Sequence, residues 1–157
     1  MNIRLFEEKD KEAYMELATQ MYSSEACIHG PNKEAFEGNF AGAIDKKNSY
    51  CIGLMLEEEG KPIGYCLISQ SWASEFGKRM NFIEEIYFVK ESRGKGYVHQ
   101  VFDWIFTHYN KEDCVFRLEV APENKEVMEI YKKYGFEDLE YLQMVKLKYV
   151  IGGLCQQ

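Results

Sequence analysis

Apolar residues recur along this chain at two different spacings, and the switches between them outline its elements. Ile3-Arg4-Leu5-Phe6 alternates as a short first strand. Ala13, Tyr14, Leu17, Ala18 and Met21 then fall three and four residues apart, the stripe of a helix that turns one face to a core. Asp10 stands where a side chain caps such a helix, and Asn32 does the same ahead of Phe36, Phe40 and Ile44. Two β-rich runs follow, Tyr50 to Leu56 and Ile63 to Ser69, and Glu59-Gly60-Lys61-Pro62 between them reads as a hairpin turn. Ser71 to Met80 breaks the pattern and predicts an irregular connection. Asn81 to Val89 is apolar enough for a central strand, after which Val98, Val101, Phe102, Ile105 and Tyr109 return to helical spacing. Cys114 to Val120 is another strand. A short helix opens at Asn124 and ends at Gly135, because glycine tolerates the left-handed conformation past a last turn. Phe136 to Tyr149 reads as a terminal strand region. The order β-α-α-β-β-β-α-β-α-β predicts an α/β domain on a mixed central β-sheet flanked by helices.

At 157 residues, 46% of them apolar, the chain is long enough for one well-filled core. We expect a single domain over residues 1–150 and a loose tail over 151–157. A net charge of −7 argues against a nucleic-acid partner, which calls for a broad basic face. Five cysteines lie at 27, 51, 66, 114 and 155, with no CxxC pair, which predicts reduced thiols and a cytoplasmic location. Cys51, Cys66 and Cys114 sit in apolar runs as small core residues. Cys27 and His29 are close together without a second ligand pair, so no metal is expected. No apolar run is long enough to span a bilayer and the first residues carry no apolar signal region, so no membrane partner is expected.

The most informative stretch is Glu91-Ser92-Arg93-Gly94-Lys95-Gly96-Tyr97, a basic glycine turn between a strand and a helix. Glycines let main-chain N–H groups approach an anion, and the helix start adds unpaired donors and a favourable dipole. Arg93 and Lys95 add positive charge there. A second segment, Asn124-Lys-Glu-Val-Met-Glu-Ile-Tyr131-Lys-Lys-Tyr-Gly135-Phe136, follows after one further strand.

Together the two segments resemble the acetyl-CoA-binding signatures of the GNAT superfamily of N-acetyltransferases, and the element order is similar to that fold from Ile3 to Tyr149. The family's turn reads Arg/Gln-x-x-Gly-x-Gly/Ala. Arg93-Gly94-Lys95-Gly96 matches it, and Val98 replaces the usual small residue. The resemblance implies that main-chain groups of Ile86, Tyr87 and Phe88 pair with the pantetheine arm as an added strand would. It implies that residues Arg93, Gly94, Lys95, Gly96, Tyr97, Val98 and His99 wrap the pyrophosphate, that Asn124 bonds the cofactor's amide arm, and that Tyr131 protonates the leaving thiolate. It also implies that the two central strands splay apart to admit the cofactor.

Glu84 and Glu85 are adjacent in an apolar strand, so simple alternation points them to opposite faces, and burial raises the pKa of a carboxylate and makes it a better base. Glu84 occupies the position where several family members carry a catalytic or water-positioning glutamate. Pairing with a cation such as Arg117 is the plainer role for either. Tyr22, Glu25 and His29, in the loop between the first two helices, and Glu75, before the central strand, are acceptor-side candidates together with Glu85. The resemblance implies an acetyl-CoA-dependent N-acetyltransferase in which a primary amine attacks directly within a ternary complex. The acidic candidates suggest a small cationic acceptor such as a polyamine, an aminoglycoside or an amino-acid-like compound. A protein or peptide acceptor and a non-enzymatic acyl-CoA-binding module are the alternatives. Family members are often dimers, so a homodimer is the assembly to test.

Overall fold

Five strands pair in the order in which the chain makes them. The computed structural model describes residues 1–24, 27, 29–47, 50–109 and 113–146. Strands β1 (Asn2–Leu5), β2 (Cys51–Glu58), β3 (Lys61–Ala73) and β4 (Lys78–Phe88) are antiparallel neighbours, and β5 (Cys114–Leu118) closes the sheet parallel to β4. A parallel partner needs a crossover, and helix α3 (Tyr97–Tyr109) provides it. The first unit, Met1–Glu123, holds all of these elements.

Both sheet faces are covered, which is why β2 and β3 read as near-continuous apolar runs. Helices α1 (Lys11–Tyr22) and α2 (Lys33–Ile44) bring Tyr14, Leu17, Ala18, Phe36 and Phe40 onto the face that carries Met55, Tyr65, Leu67 and Tyr87. On the other face α3 buries Val101, Phe102 and Ile105, and Phe106 meets Phe116 of β5 edge-on at 4.8 Å. Asn32 caps α2 as expected, accepting from the Ala35 N–H at 3.2 Å. Glu59 and Gly60, with φ of 51° and 77°, make the two-residue turn of the β2–β3 hairpin, and Lys61 and Pro62 already belong to β3.

Several expectations need correction. Asp10 does not cap α1 with its side chain. Arg4 claims that carboxylate with bonds of 2.6 and 2.8 Å, and the Glu7 N–H donates to it in a preceding 3-10 turn. Ser71 to Met80 is no irregular connection. The ladder runs on through Gln70↔Asn81, Ser71↔Met80, Trp72↔Arg79 and Ala73↔Lys78 to a tight turn, and β5 pairs with the same stretch of β4 from Arg79 on. Pairing on both sides of β4 makes a strand of residues whose own pattern is polar. Strand β5 ends at Leu118, short of Val120.

The second unit runs from Asn124 to Gln157 and contains α4 (Lys125–Lys133). Its end is a reciprocal closure: the Phe136 N–H donates to the Tyr131 carbonyl at 3.2 Å and the Gly135 N–H to that of Lys132 at 3.0 Å, with Gly135 at φ 82°. The expected terminal strand does not appear over 136–146, and the rest of it lies outside the described residues. Alternating apolar residues supply a face to bury, but a strand also needs a neighbour for its N–H and C=O groups. Leu142, Met144 and Val145 are exposed here.

Candidate active site

The site is organised by a break in the sheet. Strand β5 pairs with β4 only from Arg79↔Cys114 to Ile83↔Leu118. From there β4 continues to Phe88 with β3 alone, through Glu85↔Leu67, Ile86↔Cys66, Tyr87↔Tyr65 and Phe88↔Gly64. Among the described residues of the first unit no strand pairs with the β5 side of β4 along Ile86, Tyr87 and Phe88, an edge of the kind an added strand-like ligand can use, although the Phe88 carbonyl already accepts from Arg93. The family resemblance implies that the two strands splay here; what is observed is that their pairing ends at Ile83↔Leu118, where β5 itself ends.

Directly beyond that edge the chain makes the glycine turn. Gly94 and Gly96 take φ of 73° and 74°, conformations that other residues adopt only with strain, and α3 starts at Tyr97. Two of the expected main-chain donors are already engaged: the Arg93 N–H bonds Lys90 at 3.2 Å, and the His99 N–H bonds Gly96 at 3.1 Å. The donors from Gly94 to Val98 lie between them. The expected cations are also turned aside. Arg93 Nε donates to the Phe88 carbonyl at 2.9 Å, and its guanidinium lies over the Tyr87 ring. Lys95 pairs with Glu58 at 3.2 Å, and the Tyr97 hydroxyl donates to the same carboxylate. Side chains thus brace the turn.

The two carboxylates depart from simple alternation. Between β3 and β4 the register steps from Leu67↔Glu85 to Ile68↔Ile83, so Glu84 is the extra residue of a β-bulge. Glu84 accepts from the Ser69 hydroxyl at 2.5 Å, and Ser69 lies two residues along β3 from Leu67, on the same face. Both carboxylates therefore occupy the face that α1 and α2 cover. Glu85 is buried and accepts from Tyr22 at 2.7 Å and from Tyr65 at 2.6 Å. Arg117 is the counter-ion of neither; its guanidinium lies over the Phe82 ring. Desolvation raises the pKa of Glu84 above the usual carboxylate range; Glu119 and Glu85 add to the rise, and the Ser69 bond opposes it. Desolvation, with Glu85 beside them, pushes the Tyr22 and Tyr65 hydroxyls well up, so both remain donors.

Of the acceptor-side candidates, Tyr22 joins this cluster, His29 is exposed in the loop before α2, and Glu25 lies outside the described residues. Glu75 sits in the β3–β4 turn, roughly 20 Å along β4 from Glu84 at the rise of a strand. A groove of about 510 Å³ between α1 and α2, with Gln20 and Lys33 in its wall, includes neither Glu84 nor Glu85 in its lining. Sequence reasoning missed Tyr65, Ser69 and Glu58. A tyrosine inside the aliphatic run Ile63 to Ile68 was the available signal, since a buried hydroxyl calls for a partner.

In the second unit Asn124 precedes α4, and its side chain makes no capping bond; its carbonyl takes the Met128 N–H at 3.1 Å. Tyr131 packs its ring edge-on to Phe136 at 6.1 Å.

Comparison with known proteins bears on the family and the fold. The model described as "Acetyltransferase (GNAT) family" matches residues 11–136. An uncharacterized N-acetyltransferase of Methanocaldococcus jannaschii is 33% identical over 96 residues, which are 57% of this chain and 42% of that protein. The chain thus spans less than half the length of that relative. Among solved structures, a possible acetyltransferase from Clostridium difficile 630 superposes with a TM-score of 0.75 at 18% identity, covering 95% of this chain and 97% of that one. An aminoglycoside N-acetyltransferase crystallised with CoA gives 0.75 at 16% identity, covering 94% and 95%. With the family model spanning the open edge of β4, the glycine turn and the Asn124 to Phe136 segment alike, the chain belongs to the acetyltransferase (GNAT) family.

Proposed function

We propose that the chain moves an acetyl group from acetyl-CoA to the primary amine of a small cationic molecule, with both reactants bound together. The observation that carries the reading is the break in the sheet, where β4 runs past its last pairing with β5 and leads into a glycine turn at a helix start. Main-chain donors from Gly94 to Val98 hold the diphosphate, and the edge at Ile86, Tyr87 and Phe88 holds the pantetheine arm. Bound there, acetyl-CoA supplies an activated thioester. Asn124 bonds its amide arm.

Glu84 takes the proton of the incoming ammonium, directly or through water, and its raised pKa makes it a stronger base than an ordinary carboxylate. Tyr131 delivers its hydroxyl proton to the leaving thiolate sulfur. Holding the two reactants together supplies much of the rate. What favours a cationic acceptor is the Glu84 carboxylate, bonded by the Ser69 hydroxyl and by no lysine or arginine among the described residues, with the buried Glu85 adding negative field from the same sheet face without contact.

Calorimetric titration with CoA, followed by thiol release over a panel of small amines and a panel of peptides, tests the reading. We expect binding and turnover on small polycationic amines. Turnover confined to peptides overturns the choice of acceptor. Binding without thiol release on any amine reduces the chain to an acyl-CoA-binding module, and the absence of binding ends the proposal.

A further inference from the structure

Glu84 is the residue of the β4 bulge that neither ladder holds. Pairing with β3 steps over it, and pairing with β5 ends one residue before it. Cross-strand bonds fix its neighbours and leave its own placement to side chains. One of these is Ser69, through its hydrogen bond to the carboxylate. The others act through the next residue. Glu85, only 8% exposed, takes the Tyr22 hydroxyl on Oε1 and the Tyr65 hydroxyl on Oε2. Tyr22 is the last residue of α1 and Tyr65 lies within β3, so a single carboxylate ties a helix end and two strands together beside the bulge.

That arrangement is costly for mere packing. A buried carboxyl group whose partners are two hydroxyls gives up hydration that an apolar side chain of similar size would not need. The clasp tightens the one place in β4 where the main chain is least constrained, and Glu84 adjoins it.

We propose that the Tyr22–Glu85–Tyr65 clasp is a positioning device that aims the Glu84 carboxylate at the acceptor amine. Glu85 itself touches neither reactant. The proposal rests on the reading of Glu84 as the base and adds what holds that base in place.

Steady-state kinetics and melting curves on Glu85→Gln, Glu84→Gln and the double variant test it. Glu85→Gln is expected to lower kcat on the order of tenfold to a hundredfold, the scale of a misplaced catalytic group. The KM for acetyl-CoA should be unchanged, and in the Glu84→Gln background the Glu85→Gln loss should vanish. A loss of equal size with and without the Glu84 carboxylate overturns the proposal, as does no loss at all. Failure of the underlying reading looks different: Glu84→Gln alone then keeps full kcat. If Glu85→Gln does not fold, Tyr22→Phe removes one oxygen from a half-buried ring and takes its place in the same cycle, with the same outcomes deciding.

Discussion

Replacing Gly96 with alanine disturbs the proposed phosphate grip by one methyl group. Gly96 is exposed at φ 74°, and an added Cβ would meet nothing nearer than His99 Cδ2 at 3.9 Å, an ordinary contact. Neighbour sterics therefore contribute nothing, and the cost is the left-handed strain of a non-glycine residue, about 1–2 kcal/mol. The side chains that brace the turn belong to Arg93, Lys95 and Tyr97 and none of them packs on Gly96 itself, so the free variant relaxes toward negative φ there. The strain then returns when ligand rebuilds the turn. At about 1.4 kcal/mol per tenfold, CoA affinity should weaken roughly 5- to 30-fold. Melting without ligand should shift by only a few degrees at most. Calorimetric titration beside a ligand-free melting curve measures both. Unchanged affinity would refute the reasoning. A large drop in melting temperature at unchanged affinity would assign the glycine to folding instead. Gly94→Ala, at φ 73° with nothing within 4 Å, should behave alike.

Other outcomes follow from the same geometry. Tyr131→Phe keeps the ring that packs on Phe136, so it should melt like the parent and bind CoA equally, yet lose on the order of a hundredfold or more in kcat, as steady-state assays would show. With the Glu84 pKa raised by burial, kcat/KM should climb with pH through a limb lying above the ordinary carboxylate range, and Ser69→Ala, which removes the opposing bond, should move that limb higher. Arg4→Ala strands two carboxylates, one of them buried, and should cost roughly 3 kcal/mol in urea denaturation at neutral pH. Burial, the largest single effect on Asp10, works to raise its pKa, but Arg4, the Glu7 N–H and Lys9 together outweigh it, and Arg4 likewise holds Glu57 low. Both groups are depressed on folding, so the stability they confer is complete above the unfolded carboxylate range, about pH 4, and disappears as pH falls through the lower folded values. The parent's stability should fall over that window, and Arg4→Ala should flatten the slope.

Local features were legible and paired ones were not. The glycine turn needs its residue types within a few positions, and Arg93 to Gly96 supplies them. The closure of α4 was likewise written in Gly135 and Phe136. The bulge was hidden because register belongs to two strands at once: nothing in Phe82-Ile83-Glu84-Glu85-Ile86 says which residue drops out of the ladder. The ladder beyond Gln70 was hidden for the same reason, since Ser71, Trp72 and Arg79 show no apolar face and are strand only through their partners. Asp10 is the right type in the right place for a cap, and a guanidinium brought from β1 outbids the helix for it. The early end of β4–β5 pairing at Ile83 could be expected only through the family, because where two strands cease to pair leaves no mark on either strand taken alone.

A sheet whose fourth strand loses its outer partner halfway along would hand part of its cohesion to any ligand that takes that edge. Whatever occupies the gap becomes a removable sixth strand, and at a hundredfold excess over its dissociation constant it adds about 2.7 kcal/mol to the folded state. The lifetime of this protein in a cell would then track the supply of acyl donor, with proteases clearing the starved form first. Amide exchange at residues 84–88 should slow most when the donor is plentiful.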